Sequence, residues 1–199
     1  MPSIYDLKPA FQNILRPICK YLAQHGVTAN QVTIAAVLLS LAMGAAIAWQ
    51  PMLFLLGLPI VLFIRMALNA IDGMLAREHN MQTPLGAILN ELGDVIADAG
   101  LYLPFALLPG VMPTLVVLIV LLATISEMTG VIAIQIGASR RYDGPFGKSD
   151  RAFGFGLIAL LLGFGVSVGT WLNIGFAIML ILLIITIVNR AANALKEIT

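Results

Sequence analysis

The chain has 199 residues, 60% of them hydrophobic and only 11% charged, with a formal net charge of +1. A mean hydropathy of +0.98 excludes an ordinary soluble domain, whose surface would carry far more charge, and the near-neutral balance supplies no global basic field for nucleic acid. The single cysteine, Cys19, excludes an internal disulfide.

The opening MPSIYDLKPAFQN lacks the basic, apolar and small-residue order of a secretory signal, so the first span is expected to direct insertion itself. From Ile4 to Gln24, Tyr5, Leu7, Phe11, Ile14, Leu15, Ile18 and Leu22 alternate with Asp6, Lys8, Arg16 and Lys20. That pattern predicts an amphipathic helix in the membrane interface. A soluble arm packed on its own protein is the other reading.

Spans of about 20 apolar residues are then predicted at roughly Thr28 to Trp49, Met52 to Arg77, Thr83 to Leu108, Pro113 to Gly137, Ala152 to Val168 and Trp171 to Asn189. Thr28-Ala29-Asn30 supplies capping residues for the first. The expected fold is thus an all-α integral membrane protein: residues 1–27 form an interfacial helix and residues 28–199 a bundle of six transmembrane helices, together a single domain without repeats.

Three of the loops, around Gln50-Pro51, Pro109 to Pro113 and Ser167 to Thr170, contain no charge. Lys8, Arg16, Lys20, Arg65, Arg77, Arg140, Arg141, Lys148, Arg151, Arg190 and Lys196 all fall in the opposite half. By the positive-inside rule that half is cytoplasmic, and an even number of spans returns both termini to it. The expected location is the inner (cytoplasmic) membrane, with the polar cluster described next open to the cytosol.

That cluster is NAIDGMLAREHNMQTPLGAILNELGD, Asn69 to Asp94. Ionisable groups at membrane depth are costly and mark a functional site by default. Asn69, Asp72, Gly73, Ala76 and Arg77 fall at i, i+3, i+4, i+7 and i+8, one face of one helix. Gly86, Asn90 and Asp94 form a second stripe about 12 Å long. Facing each other, the small residues would admit a flat or extended ligand, and Arg77 offers a planar fork for phosphate. Oxygen donors with no Cys or His among them favour a hard cation such as Mg²⁺.

These residues resemble the signature of the CDP-alcohol phosphotransferases (CDP-alcohol phosphatidyltransferases), Asp-x-x-Asp-Gly-x-x-Ala-Arg, eight residues, Gly-x-x-x-Asp-x-x-x-Asp. Six of its eight fixed positions match, with Asn69 and Asn90 in place of the first and third acids. The resemblance extends to the six-span plan and the preceding interfacial helix. It implies phospholipid synthesis by transfer of a phosphatidyl or related phosphoalcohol group from a CDP-linked lipid donor, such as CDP-diacylglycerol, to an alcohol, with release of CMP. It further implies a Mg²⁺ or Mn²⁺ cofactor held at Asn69, Asp72, Asn90 and Asp94, a nucleotide pocket of Gly73, Ala76, Arg77 and Gly86, Asp94 as general base, and a homodimer.

The two asparagines cut four potential negative charges to two, which puts two full metal sites in doubt. Either the metal number or donor is altered, or the chain is a degenerate member that binds nucleotide but turns over slowly or not at all, or the asparagines were engineered to disable the site. Glu91 sits about 100° around the helix from Asn90 and is poorly placed to substitute. A small-solute transporter is the reading from another class. The polar groups collect at one end, without the midplane site and repeated halves typical of transporters.

Elsewhere, Arg65 and Asp98 are expected to pair, and Glu127 to serve as a ligand or to receive a hydrogen bond. His25 and His79 read as interfacial. The loop Ala138 to Arg151 holds Arg140, Arg141, Lys148 and Arg151. Lys148 and Arg151 are the candidates to bind a phosphorylated acceptor; the competing reading is topological.

Overall fold

The computed structural model describes residues 4–199, with side chains from Ala10 onward. Eight α-helices follow in order: α1 (Ile4–Gln24), α2 (Ala29–Trp49), α3 (Pro51–Phe54), α4 (Leu58–Glu78), α5 (Pro84–Tyr102), α6 (Pro113–Gln135), α7 (Lys148–Gly163) and α8 (Thr170–Ile198). Single 3₁₀ segments follow α3, at Leu55–Gly57, and α5, at Leu103–Leu107. The architecture is all-helical among the described residues. The side chains of Lys8 and its neighbours before Ala10 lie outside them.

Four stretches are long and apolar enough to cross a bilayer: Ala29–Trp49, Pro51–Glu78, Pro113–Gln135 and Thr170–Ile198. The two remaining predicted spans are of another kind. α5 carries Glu91, Asp94 and Asp98, and α7 has only 16 residues, about 24 Å of helix against a hydrocarbon core of about 30 Å. The boundaries moved for local reasons. α7 begins at Lys148 because Asp150 accepts the Gly147 N–H at 2.8 Å, closing the first turn and placing an acid at the helix N-terminus. The span expected from Thr83 ends its α-helix at Tyr102, just before Pro104.

Contacts divide the described residues into two units. One comprises the chain to Ala42 together with Ile60–Ala97. In it, Leu15 and Cys19 of α1 pack with Ala29 and Val32 of α2 and with Ile71, Met74 and Leu75 of α4. The opposite face of α1 leaves Ile14, Ile18 and Tyr21 exposed. The helix thus presents apolar surface both inward and outward. Arg16 ties it to the end of α4, its NH2 nitrogen 3.0 Å from Glu78 Oε1 and its Nε 3.2 Å from Oε2.

The other unit comprises Met43–Pro59 and Asp98–Thr199. α6 packs along α8, and the core holds Tyr102 stacked on Phe155 at 4.1 Å, with Phe105 and Phe176 against the same ring. Gly44 meets Gly100 so closely that a Cβ built on it would lie 1.9 Å from the Gly100 carbonyl oxygen. Small residues permit such backbone approach between membrane helices. Since the obstacle is backbone, it cannot swing aside. Gly44→Ala is therefore expected to destabilise the protein by at least the about 1–3 kcal/mol usual for overpacking, read as a fall in thermal midpoint in detergent; an unchanged midpoint would show that the two helices can separate freely.

Candidate functional site

The cleft in the first unit is shaped by three helix ends. α2 starts at a capping box: Gln31 N–H donates to Thr28 Oγ1 at 3.3 Å, and Thr28 N–H donates to Gln31 Oε1 at 2.9 Å, satisfying two otherwise orphaned donors. α4 stops at Asn80, whose φ of 55° is tolerated by asparagine better than by most residues. The Met81 N–H reaches back to the Ala76 carbonyl at 3.1 Å, the closing bond of a Schellman turn. α5 starts three residues after Met81: Thr83 Oγ1 accepts the Gly86 N–H at 2.9 Å, with Pro84 at the first helical position.

These three ends enclose a cleft of about 550 Å³. Asp72, Gly73, Ala76 and Arg77 line it from α4, and Gly86, Asn90 and Glu91 from α5. The expected nucleotide residues Gly73, Ala76, Arg77 and Gly86 thus share one wall system with Asp72 and Asn90. A Cβ on Gly86 would stand 2.7 Å from Asn30 Oδ1, and one on Gly73 would stand 3.0 Å from the Arg77 guanidinium. Both glycines keep space that a side chain would take.

Asn69 and Asp94 complete a different constellation, outside the cleft lining. Asn69 Nδ2 donates to Asp94 Oδ1 at 3.3 Å. The Arg65 guanidinium lies 3.6 Å from the same carboxylate oxygen and donates to the Asp94 backbone carbonyl at 3.2 Å. The Arg65 side chain is 4% exposed and that of Asp94 26%, so the pair is shielded at one end and open at the other.

Some cleft residues were not singled out from sequence. Thr33 donates from Oγ1 to Asp72 Oδ2 at 2.9 Å, one turn beyond Asn30, which also lines the cleft with Gln82 and Thr83. Their only sequence signal was the Thr28-Ala29-Asn30 cap itself. Glu91 lines the cleft as well, despite lying around the helix from Asn90; a concave wall three helices wide accommodates residues 100° apart on one of them.

Among the described residues no three His, Cys, Asp or Glu side chains gather as a metal-binding group. The donors at the cleft wall are the Asp72 carboxylate and the Asn90 carboxamide, with Glu91 beside them. These hard oxygen donors fit a single Mg²⁺-like cation that takes its other ligands from substrate phosphate and water.

In the second unit the arginines are bound to acids. Arg151 is fully buried, its NH2 nitrogen 2.9 Å from Asp98 Oδ2 and 3.0 Å from Glu127 Oε1. Glu127 Oε2 also faces Arg190 at 3.4 Å and Arg140 at 3.9 Å. Arg141 grips Asp143 at 2.6 Å and Glu197 at 2.6 Å, and its hydrogen bond holds the Asp143 carboxyl below the usual carboxylate range. Four arginines therefore meet four carboxylates. Of the two cations expected at an acceptor, Arg151 sits inside this network and Lys148 opens α7, half-buried. Glu127 is the centre of an ion-pair cluster, a stronger role than the hydrogen bond expected of it. His25, just past the end of α1, bonds through Nδ1 to the Tyr21 carbonyl at 2.8 Å.

A family model described as CDP-alcohol phosphatidyltransferase matches residues 26–188. The chain is 52% identical over 195 residues to "Inner membrane protein YnbA" of Escherichia coli (strain K12), covering 97% of this chain and 96% of that one. Its fold is similar to that of Mycobacterium tuberculosis phosphatidylinositol phosphate synthase (PgsA1) with CDP-DAG bound, with a TM-score of 0.78 at 21% identity over 93% of this chain and 95% of that one. The same synthase in complex with manganese and citrate gives a TM-score of 0.76 at 21% identity over 91% and 88%.

Proposed function

The chain belongs to the CDP-alcohol phosphatidyltransferase family, and from that premise we propose that it transfers a phosphatidyl group from a CDP-linked lipid to an alcohol, with release of CMP. The observation that carries the reading is the cleft lined together by Asp72, Gly73, Ala76, Arg77, Gly86 and Asn90. The CDP moiety occupies it, with the glycines admitting the nucleotide and Arg77 meeting its phosphates.

A divalent cation, Mg²⁺ or Mn²⁺, held through Asp72 and Asn90, supplies charge neutralisation to the diphosphate when bound. The chain's own groups do the rest. Asp94, oriented by Asn69 and Arg65, accepts the proton of the acceptor hydroxyl. The hydroxyl oxygen forms a bond to the lipid-linked phosphorus as the bond from that phosphorus to the CMP oxygen breaks. The products are the phosphodiester lipid and CMP, and the proton on Asp94 passes to solvent. Lys148, half-buried at the start of α7, is the candidate to meet an acceptor carrying phosphate. The cleft and both termini face the cytosol in this reading, the chain forms one domain of six spans, and it acts as a homodimer.

The test is CMP release by the purified protein in lipid nanodiscs, given CDP-diacylglycerol, Mg²⁺ or Mn²⁺ and a panel of alcohols with and without phosphate. Acceptor-dependent release supports the reading; metal-dependent binding of the CDP-lipid without release would mark a member that binds without turnover. Asp72→Asn is expected to weaken metal-dependent CDP-lipid affinity by at least about tenfold, since it removes the one carboxylate among the signature residues at the cleft wall. Unchanged affinity in a metal titration would remove Asp72 from that role.

A further inference from the structure

We infer that this centre takes one divalent cation, and that Asn69 is a positioning residue which, together with Arg65, holds Asp94 as a second cation otherwise would. The inference rests on the transferase reading above. It begins from charge. The signature this chain matches carries four acids, whereas only Asp72 and Asp94 are acidic here. Arg65, with its side chain 4% exposed, offsets one of those two charges. One divalent cation over-balances what the signature positions leave before any diphosphate arrives, and a second would find no further signature carboxylate.

The geometry separates the donors in the same way. Asp72 and Asn90 line the cleft, while Asn69 and Asp94 do not. Asp94 Oδ1 already faces two donors, the Asn69 amide at 3.3 Å and Arg65 at 3.6 Å. A divalent cation bound at that oxygen would stand close to the guanidinium, and like charges so near repel strongly in a partly dehydrated site. The residue type at position 69 fits this arrangement. A carboxylate there could only accept and would need a cation to lie beside Asp94; a carboxamide donates an N–H and needs none. The asparagine that weakens the centre as a two-cation site thus strengthens it as a mount for Asp94.

The experiment counts Mn²⁺ bound to the purified protein in nanodiscs by electron paramagnetic resonance, with CDP present as the nucleotide probe. The wild-type chain is expected to bind one Mn²⁺, and the Asn69→Asp/Asn90→Asp double variant two. Asn69→Asp alone is expected to lose at least tenfold in CMP release at low Mn²⁺ and to regain it as a second, weaker site fills. Asn69→Leu, which can neither donate nor ligate, is expected to stay low at every Mn²⁺ concentration while still binding one ion. That contrast is one a purely structural role would not produce. Two ions in the wild-type chain, or a single ion in a folded double variant, would overturn the one-cation inference and leave the transferase reading standing. No bound Mn²⁺ and no CMP release from folded wild-type protein would overturn both.

Discussion

Replacement of Asp94 by asparagine is expected to lower acceptor-dependent CMP release by about 10²–10⁴-fold, the range general-base catalysis contributes, while CDP-lipid affinity stays within about twofold. The two effects separate because Asp94 lies outside the lining of the cleft proposed to hold the nucleotide. Asparagine keeps the size and one oxygen of the side chain, so the contact from Asn69 at 3.3 Å can persist. What it lacks is the basic oxygen that takes the proton. Arg65 loses its countercharge in this variant, though not its bond to the Asp94 backbone carbonyl at 3.2 Å, so the thermal midpoint is measured beside the kinetics. A folded variant with full turnover would exclude Asp94 as the base. Loss of donor affinity as well would assign it to holding the cation and nucleotide.

Arg151→Ala is expected to act on the fold more than on the acceptor. The guanidinium is 0% exposed and bridges Asp98 and Glu127, and removing one partner of a buried pair leaves the carboxylates with less compensation, at a cost of about 3–5 kcal/mol. A sharp fall in thermal midpoint is the expected outcome, with partial relief when Asp98→Asn is combined with it, since neutralising an acid that has lost Arg151 removes part of the penalty. The acceptor role considered from sequence gives a different signature: an unchanged midpoint, an unchanged donor affinity and a raised KM for a phosphorylated alcohol. Arg190 offers a parallel test, since it binds the Ser126 carbonyl at 2.6 Å and Glu127 at 3.4 Å in the same cluster.

The helical stripes were readable because helix geometry is local. Positions 69, 72, 73, 76 and 77 share a face whatever surrounds them, and Thr28, Asn80 and Thr83 cap or end helices through bonds to residues within five positions. Partner choice was not readable in the same way. Spacing gave no reason to join Arg65 to Asp94 or Asp98 to Arg151, pairs that folding alone brings together. Glu127 likewise collects Arg151, Arg140 and Arg190 from three separate stretches of chain.

The boundaries of the apolar stretches divide along the same line. Hydropathy along the chain marked six spans, of which Ala29–Trp49, Pro51–Glu78, Pro113–Gln135 and Thr170–Ile198 are helical stretches long and apolar enough to cross a bilayer among the described residues, because hydropathy sums over residues without reference to packing. Why α5 can carry Glu91, Asp94 and Asp98 became visible only when Arg65 and Arg151 were found beside two of them. By itself, then, the amino-acid sequence determined the membrane class, the helical stripes with their caps and the family signature with its two asparagines. Only the tertiary structure decided which signature residues share the cleft, that Asn69 turns to Asp94, and that the loop arginines are bound by internal acids. These last are contacts between residues far apart in the chain, and their energies depend on distance and burial, which no spacing along a sequence encodes.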